Sequence, residues 1–471
     1  MSSNQPLSET DGIFARAYAS ALKDNFQVDV GDRYAIYTSP VNLRGIAAGD
    51  LIYPQITNYQ IYKFADSLQY SDNPSYIGGS AGSYLQQLNS YITWARSESD
   101  PSPEIADRMS KAREAVEAAT TNYSVVVTQA QNQWIKVQKL YPNDDFWRWI
   151  AQGNYPLLDV ADRTRKATQS EAYLAMQAYF GPDSATYSGF IGGIDSAFNM
   201  SNPLPGYNQS GLIDNPGLIS KAIDDANRGV KPLDSNISQS FAFVPLYTIQ
   251  TYINTVQSWI TAANQGAKRD QKITIDINQG RQTTWEDCGF GEVRGGGGFW
   301  PFLHAEVYVD DRKEERTLKT EGREDSISLS LSMIGVQKFD VRAGLWDIPN
   351  IKALFPHRAP GAPPEVLSSK FTQIVSVLVG FDVELKVEFA SEMREEVDKI
   401  YEEVKKTGGN MTVLGFRVSA GASGGVDGSD NHVETKFDDV KWSRKTGSMN
   451  MTQNSGQVCP TILAVVGQKF E

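Results

Sequence analysis

The sequence predicts an α+β protein: an N-terminal helical bundle containing one very long helix, then a C-terminal β-rich, sandwich-like region with an inserted helix. Three observations carry this. Apolar residues from Leu7 to about Met200 recur mostly at helical spacing, and do so again from Ile249 to Ala263. Residues 326–333 alternate hydroxyl and apolar side chains with a period of two. After Lys268, glycine and β-branched residues become frequent. The chain therefore divides near residue 270, into 1–270 and 271–471.

The clearest helix opens at Pro103, a residue suited to a first turn, and stops before Pro142. Ile105, Met109, Ala112, Val116, Ala119, Tyr123, Val126, Ala130 and Trp134 form its seam, mostly in steps of four and three. A helix of about 38 residues is roughly 57 Å long and must pack on another long element. Leu85, Leu88 and Ile92 before it, and residues 161–179 after it, are the nearest candidates.

A turn-rich stretch with Asn202-Pro203, Pro205-Gly206 and Asn215-Pro216 reads as an irregular connection. The next helix is expected from near Pro245 to Gly266, with Ile249, Ile253, Val256, Ile260 and Ala263 as its stripe and Tyr252 and Trp259 widening it. Strands are expected at 272–277, 326–333, 371–389, 411–420 and 461–470, with Gly380 the natural break in the long third one. A helix at about 390–406 turns Met393, Val397, Ile400 and Val404 inward and glutamates outward. Lys405 and Lys406 suit its negative end, and Gly408-Gly409 can terminate it.

With 44 Lys and Arg against 56 Asp and Glu, the chain carries a formal charge of −12, and no basic run offsets it. That excludes nucleic acid as an expected partner. The first dozen residues lack the positive start and apolar run of a secretory signal, so the chain reads as cytoplasmic, or as released without a signal peptide. No run of 18 apolar residues exists, and no constitutive transmembrane helix is expected. Two cysteines and three histidines support neither a disulfide framework nor a zinc site, and no motif implies a metal or cofactor.

The feature that points to function is charge depletion. No Asp, Glu, Lys or Arg lies between Glu117 and Lys136, around Val125, Val126 and Val127, or between Asp234 and Lys268, around Ile249, Ile253, Val256, Trp259 and Ile260. One reading makes these central bundle helices whose polar groups satisfy one another. The other makes them membrane-active segments of a non-enzymatic, pore-forming-like or interaction protein, because a helix that leaves water for lipid must carry few charges. A lipid membrane or a protein partner, and homo-oligomers, follow from it. Ser326 to Ser332 offers a further membrane route, through a barrel strand with Ile327, Leu329 and Leu331 facing lipid; a half-exposed sheet strand has the same pattern.

Two alternatives stand beside it. One is a cofactor-free enzyme holding a small apolar or aromatic substrate in an interdomain cleft lined by Tyr and Trp, with carboxylates as acid or base; the other is a self-assembling scaffold. Gly295, Gly296 and Gly297 beside Arg294 form a candidate anion loop, although the Gly-Lys-Ser/Thr ending is absent and a plain connection has the same composition. Cys288 is a poor nucleophile candidate, since adjacent Glu286 and Asp287 oppose its thiolate. Asp144-Asp145 before Phe146, Trp147 and Trp149 reads as a helix cap, or as an acid and aromatic set for Mg²⁺ or a sugar.

Overall fold

A computed structural model describes residues 8–26, 33–38, 41–42, 61–62, 64–67, 69–70, 74, 83–96, 101–141, 146–197, 203–204, 242–243, 245, 247–291, 293, 302–310, 312–344, 346–359, 361–363, 367, 371–419, 434–436, 440–452 and 460–469. Before residue 270 lie helices α1 (Glu9–Lys23), α2 (Tyr84–Trp94), α3 (Pro103–Val137), α4 (Phe146–Ala151), α5 (Pro156–Phe180), α6 (Ser184–Ser196) and α7 (Tyr252–Asn264). Strands β1 (Tyr34–Tyr37) and β2 (Tyr247–Ile249) also lie there. After it come β3 (Gln271–Ile275), α8 (Ile277–Gln282), β4 (Leu303–Val309), β5 (Arg312–Thr317), β6 (Ile327–Met333), β7 (Gly335–Ala343) and β8 (Phe371–Phe381). The chain continues through β9 (Glu384–Phe389), α9 (Arg394–Thr407), β10 (Asn410–Val413), β11 (Phe416–Ser419), β12 (Val440–Ser443), β13 (Ser448–Thr452) and β14 (Pro460–Lys469). The fold is α+β.

One seven-stranded sheet runs β1–β14–β8–β7–β2, with short strands Val41–Asn42 and Gln69–Tyr70 on its flanks. A five-stranded sheet runs β5–β4–β10–β11 and ends on Glu434–Lys436; another runs β12–β13–β9–β6–β3. Ile462, Leu463, Ala464, Val465 and Val466 of β14 all have zero exposure. An unbroken apolar run suits a strand covered on both faces, as alternation suits a strand wetted on one. A single core joins residues from both sides of position 270, among them Leu22, Ile36, Val256, Leu331, Val377 and Val404. Helix α1 fits into it against α8 at Gly280, where a Cβ would stand 2.3 Å from the Ile13 carbonyl oxygen.

Several expected boundaries move, each for a local reason. Residues 247–249 leave the expected helix to pair with Val341, Arg342 and Ala343 of β7, so α7 starts at Tyr252, behind Thr251 with φ 62°. The third strand ends at Ile275 because Asp276 caps α8, its side chain accepting the Asn278 amide at 2.9 Å. The run 371–389 reverses at Asp382 (φ 54°) rather than at Gly380, which stays inside β8. Residues 410–419 form a hairpin, turned by Leu414 (φ 47°) and Gly415 (φ 81°), two positive φ values that match the strand twist. Ile327, Leu329 and Leu331 of β6 are 4%, 3% and 0% exposed, and both edges of β6 are paired, with β9 and β3. That apolar face belongs to the core, not to lipid. Helix α9, expected at about 390–406, runs Arg394–Thr407 behind Met393 as its cap, with Val397, Ile400 and Val404 buried and Gly408 (φ 71°) ending it.

Candidate functional site

Most of the long helix lies at the surface. Ser102 caps α3 by accepting the Ile105 amide, and Pro103 fills its first turn. Its 35 residues, roughly 52 Å at 1.5 Å per residue, pack antiparallel on α5, yet only Met109, Ala119, Ala130 and Trp134 are buried. At the root, Met109 of α3 and Ala175, Met176, Tyr179 and Phe180 of α5 enter the main core. Far along the pair, Ala130, Trp134, Phe146, Trp149 and Leu158 form a second, separate core. Between the two, α3 and α5 pack on each other among the described residues, so α3, α4 and α5 make a stalk with its own distal end.

Polar chemistry holds the middle of the stalk. Arg165 lies over the Tyr123 ring at 4.4 Å. Asp162 pairs with Arg165 at 2.7 Å and Lys166 at 2.6 Å, and hydrogen bonds from Lys166 and Arg165 hold its carboxyl below the usual carboxylate range.

At the far end, α4 folds across the helix pair and its aromatic rings close the second core. Trp134 and Trp149 stand 5.6 Å apart at 45°, and Trp149 also meets Phe146 and Tyr155 at 6.4 Å each. The apolar side chains that do not fit inside remain in water. Ile135, Leu140, Trp147, Leu157 and Val160 are 53%, 76%, 52%, 61% and 55% exposed. With Val125, Tyr173 and Leu174, the stalk carries eight of the eleven exposed large hydrophobic side chains among the described residues. This concentration on one helix pair, unlike single exposed leucines, makes the stalk the candidate interaction surface.

The charges around this end are unevenly placed. Helix α3 has none from 118 to 135, then Lys136, with Lys139 just beyond it. Neither lysine has an ion-pair partner among the described residues. In contrast, α5 carries Asp159, Asp162, Arg163, Arg165 and Lys166 in its first turns, with Asp159 paired to Arg163. At roughly 2.5–3.5 kcal/mol per charge at a bilayer centre, these charges oppose passage of the paired helices through hydrocarbon. No helix of the described residues is long and apolar enough to cross a membrane.

The two charge-free segments go to different places. Val125 is 50% exposed on the stalk, and Val126 and Val127 pack against the distal core. Ile249 pairs with Val341 in the seven-stranded sheet. Val256 and Ile260 are 0% and 4% exposed in the main core, Ile253 is 36% exposed, and Trp259 stacks on Phe381 at 6.1 Å. Trp259 also fills the space beside Gly335, where a Cβ would stand 2.1 Å from its indole nitrogen. Arg294, Gly295, Gly296 and Gly297 lie outside the described residues, as do Asp144 and Asp145. Sequence reasoning singled out Trp147 only with the acids before it and missed Leu140, Leu157 and Val160; their signal was a set of apolar residues crowding a helix reversal that contains Pro142, Gly153 and Pro156.

A second polar constellation lies in the body. Tyr84 Oη donates to Asp347 Oδ1 at 2.6 Å, Gln373 Nε2 donates to Asp347 Oδ2 at 3.0 Å, and Tyr247 Oη donates to Asp66 Oδ1 at 2.8 Å. Burial pushes the Asp347 carboxyl up, against the opposing pull of those hydrogen bonds. Burial likewise raises the Tyr84 and Tyr247 phenols. A polar groove of about 460 Å³ lined by Asn25, Thr251, Lys338, Asp340 and Arg342 is separate from these residues. Cys288 is buried and its thiol is pushed up to about 11, mainly by that burial, which leaves no thiolate near neutral pH. Among the described residues no group of three or more His, Cys, Asp or Glu could hold a metal ion. No family model, curated protein or solved structure matches the chain.

Proposed function

We propose that the protein is non-enzymatic and membrane-active, with the α3–α5 stalk as the element that engages the bilayer and the β-rich body as its carrier. The observation that supports this is the gathering of Ile135, Leu140, Trp147, Leu157 and Val160, all more than half exposed, at the end of a helix pair remote from the main core. Helix α7 stays in the body on this reading. Fully burying Val256 or Ile260 is worth roughly 1.5–3 kcal/mol each, which its release would forfeit. Flotation of the purified chain with lipid vesicles at pH 7 and pH 5 tests the proposal. Co-flotation that Leu140→Ser with Leu157→Ser abolishes is the expected result; a chain that stays with the soluble fraction throughout defeats it.

A cofactor-free enzyme is the second reading, and one observation favours it: a buried carboxyl of raised pKa, Asp347, set among Tyr84, Tyr247 and Trp346. A metabolite that raises the thermal midpoint of the wild type and not of Asp347→Asn would move the preference there.

A further inference from the structure

We infer that the distal end of the stalk is an interfacial anchor for bilayers bearing anionic headgroups, entering only to the boundary between headgroups and acyl chains. This rests on the membrane reading above and adds the lipid class and the depth of entry.

Three features select the partner. Leu140, Trp147 and Leu157 are 76%, 52% and 61% exposed at the helix reversal. An indole among leucines suits the interface, where one part of the ring is apolar and its N–H is wet. Lys136 and Lys139 flank them without ion-pair partners among the described residues, and with Arg148 they outnumber Asp144 and Asp145, the two acids of residues 136–148, by three to two. Two ammonium groups with no ion-pair partner among the described residues, beside an apolar tip, complement anionic headgroups, and their long stems let the charge stay in water while the tip sinks.

The depth is set by α5. Asp159 stands three residues into that helix, roughly 5 Å along its axis, and Asp162, Arg163, Arg165 and Lys166 follow within two turns. The tip beyond them has about the height that interfacial helices bury, roughly 5–10 Å. These charges act as a stop.

The stalk also answers an electrostatic objection. A chain with a net charge of −12 is repelled by an anionic surface. The axial distance from Met109, in the main core, to Trp134, in the distal core, is roughly 38 Å at 1.5 Å per residue, several times the Debye length of about 8–10 Å at physiological ionic strength. The body's charge is screened at that distance, and the lysines at the tip are not.

The test uses the full chain with vesicles of phosphatidylcholine alone and with added phosphatidylserine, each loaded with a self-quenching dye. Sedimentation with the phosphatidylserine vesicles, weakened by salt and without dye release, is expected. Lys136→Glu with Lys139→Glu should reduce that binding at least tenfold, as should Leu140→Ser, with unchanged circular dichroism. Quenching by headgroup-region nitroxide lipids, lost in Trp147→Phe, should exceed quenching by deep ones. Dye release, equal binding to both vesicles, or wild-type binding by the tip variants overturns the anchor while leaving membrane action standing. Absence of binding to either vesicle overturns both.

Discussion

The guanidinium of Arg165 lies 4.4 Å from the centre of the Tyr123 ring, and the same side chain pairs with Asp162 one turn earlier on α5. This clasp ties the two stalk helices together between the main core and the distal core, where small residues such as Ala119 and Ala161 supply little apolar area.

Removing the clasp should loosen the stalk without unfolding the body. Arg165→Ala is expected to cost about 1 kcal/mol, since the side chain is partly exposed and the cation–π contact is screened. The Asp162 carboxyl is lowered in the folded state, so its contribution is present above the ordinary Asp value and lost as pH falls through the lowered one. The clasp therefore survives at pH 5. Thermal midpoints of the wild type and Asp162→Asn should differ at pH 5 and pH 7 and converge only in stronger acid.

The distal core should open as a unit. Trp149→Ala removes the ring that contacts Trp134, Phe146 and Tyr155, a large-to-small change typically costing about 3–5 kcal/mol. Because that cluster is separate from the main core, the loss should be local. Hydrogen exchange is expected to accelerate at residues 130–137 and 146–158 and to stay slow in β14.

Lysine substitutions should separate the two charge-free segments. Val256→Lys places a charge where exposure is zero and should cost about 3 kcal/mol or more. Val125→Lys alters a half-exposed position and should change stability by no more than about 0.5 kcal/mol. Denaturant midpoints of the two variants check this directly. Equal effects would mean that the stalk face around Val125 is buried in solution.

The Asp347 carboxyl predicts the opposite pH dependence to Asp162. Its folded-state value is raised by burial, so the protonated form favours the fold and the group's contribution falls as pH rises through that value. Asp347→Asn removes this titration. The wild type should lose stability relative to the variant between pH 4 and pH 7 in urea unfolding; a difference constant over that range would show that the carboxyl is not perturbed.

Local patterns made much of the architecture legible. The seam from Ile105 to Trp134 with Pro103 and Pro142 at its ends, the period-two run at 326–333, and the inward set Val397, Ile400 and Val404 each encode one element, because hydrophobic spacing follows backbone geometry. Spacing says that a face is covered and not what covers it. The seam of α3 meets α5 over most of its length, the stripe of α7 meets the seven-stranded sheet, and the two charge-free stretches, alike in composition, end one on a stalk and one in a core. Strand β1 joins β14 across more than 400 residues of chain, a pairing that no local signal could announce. The exposed tip was hidden for the same reason: Leu140, Trp147 and Leu157 look like core residues one by one, and only the packing of α3, α4 and α5 leaves them outside it.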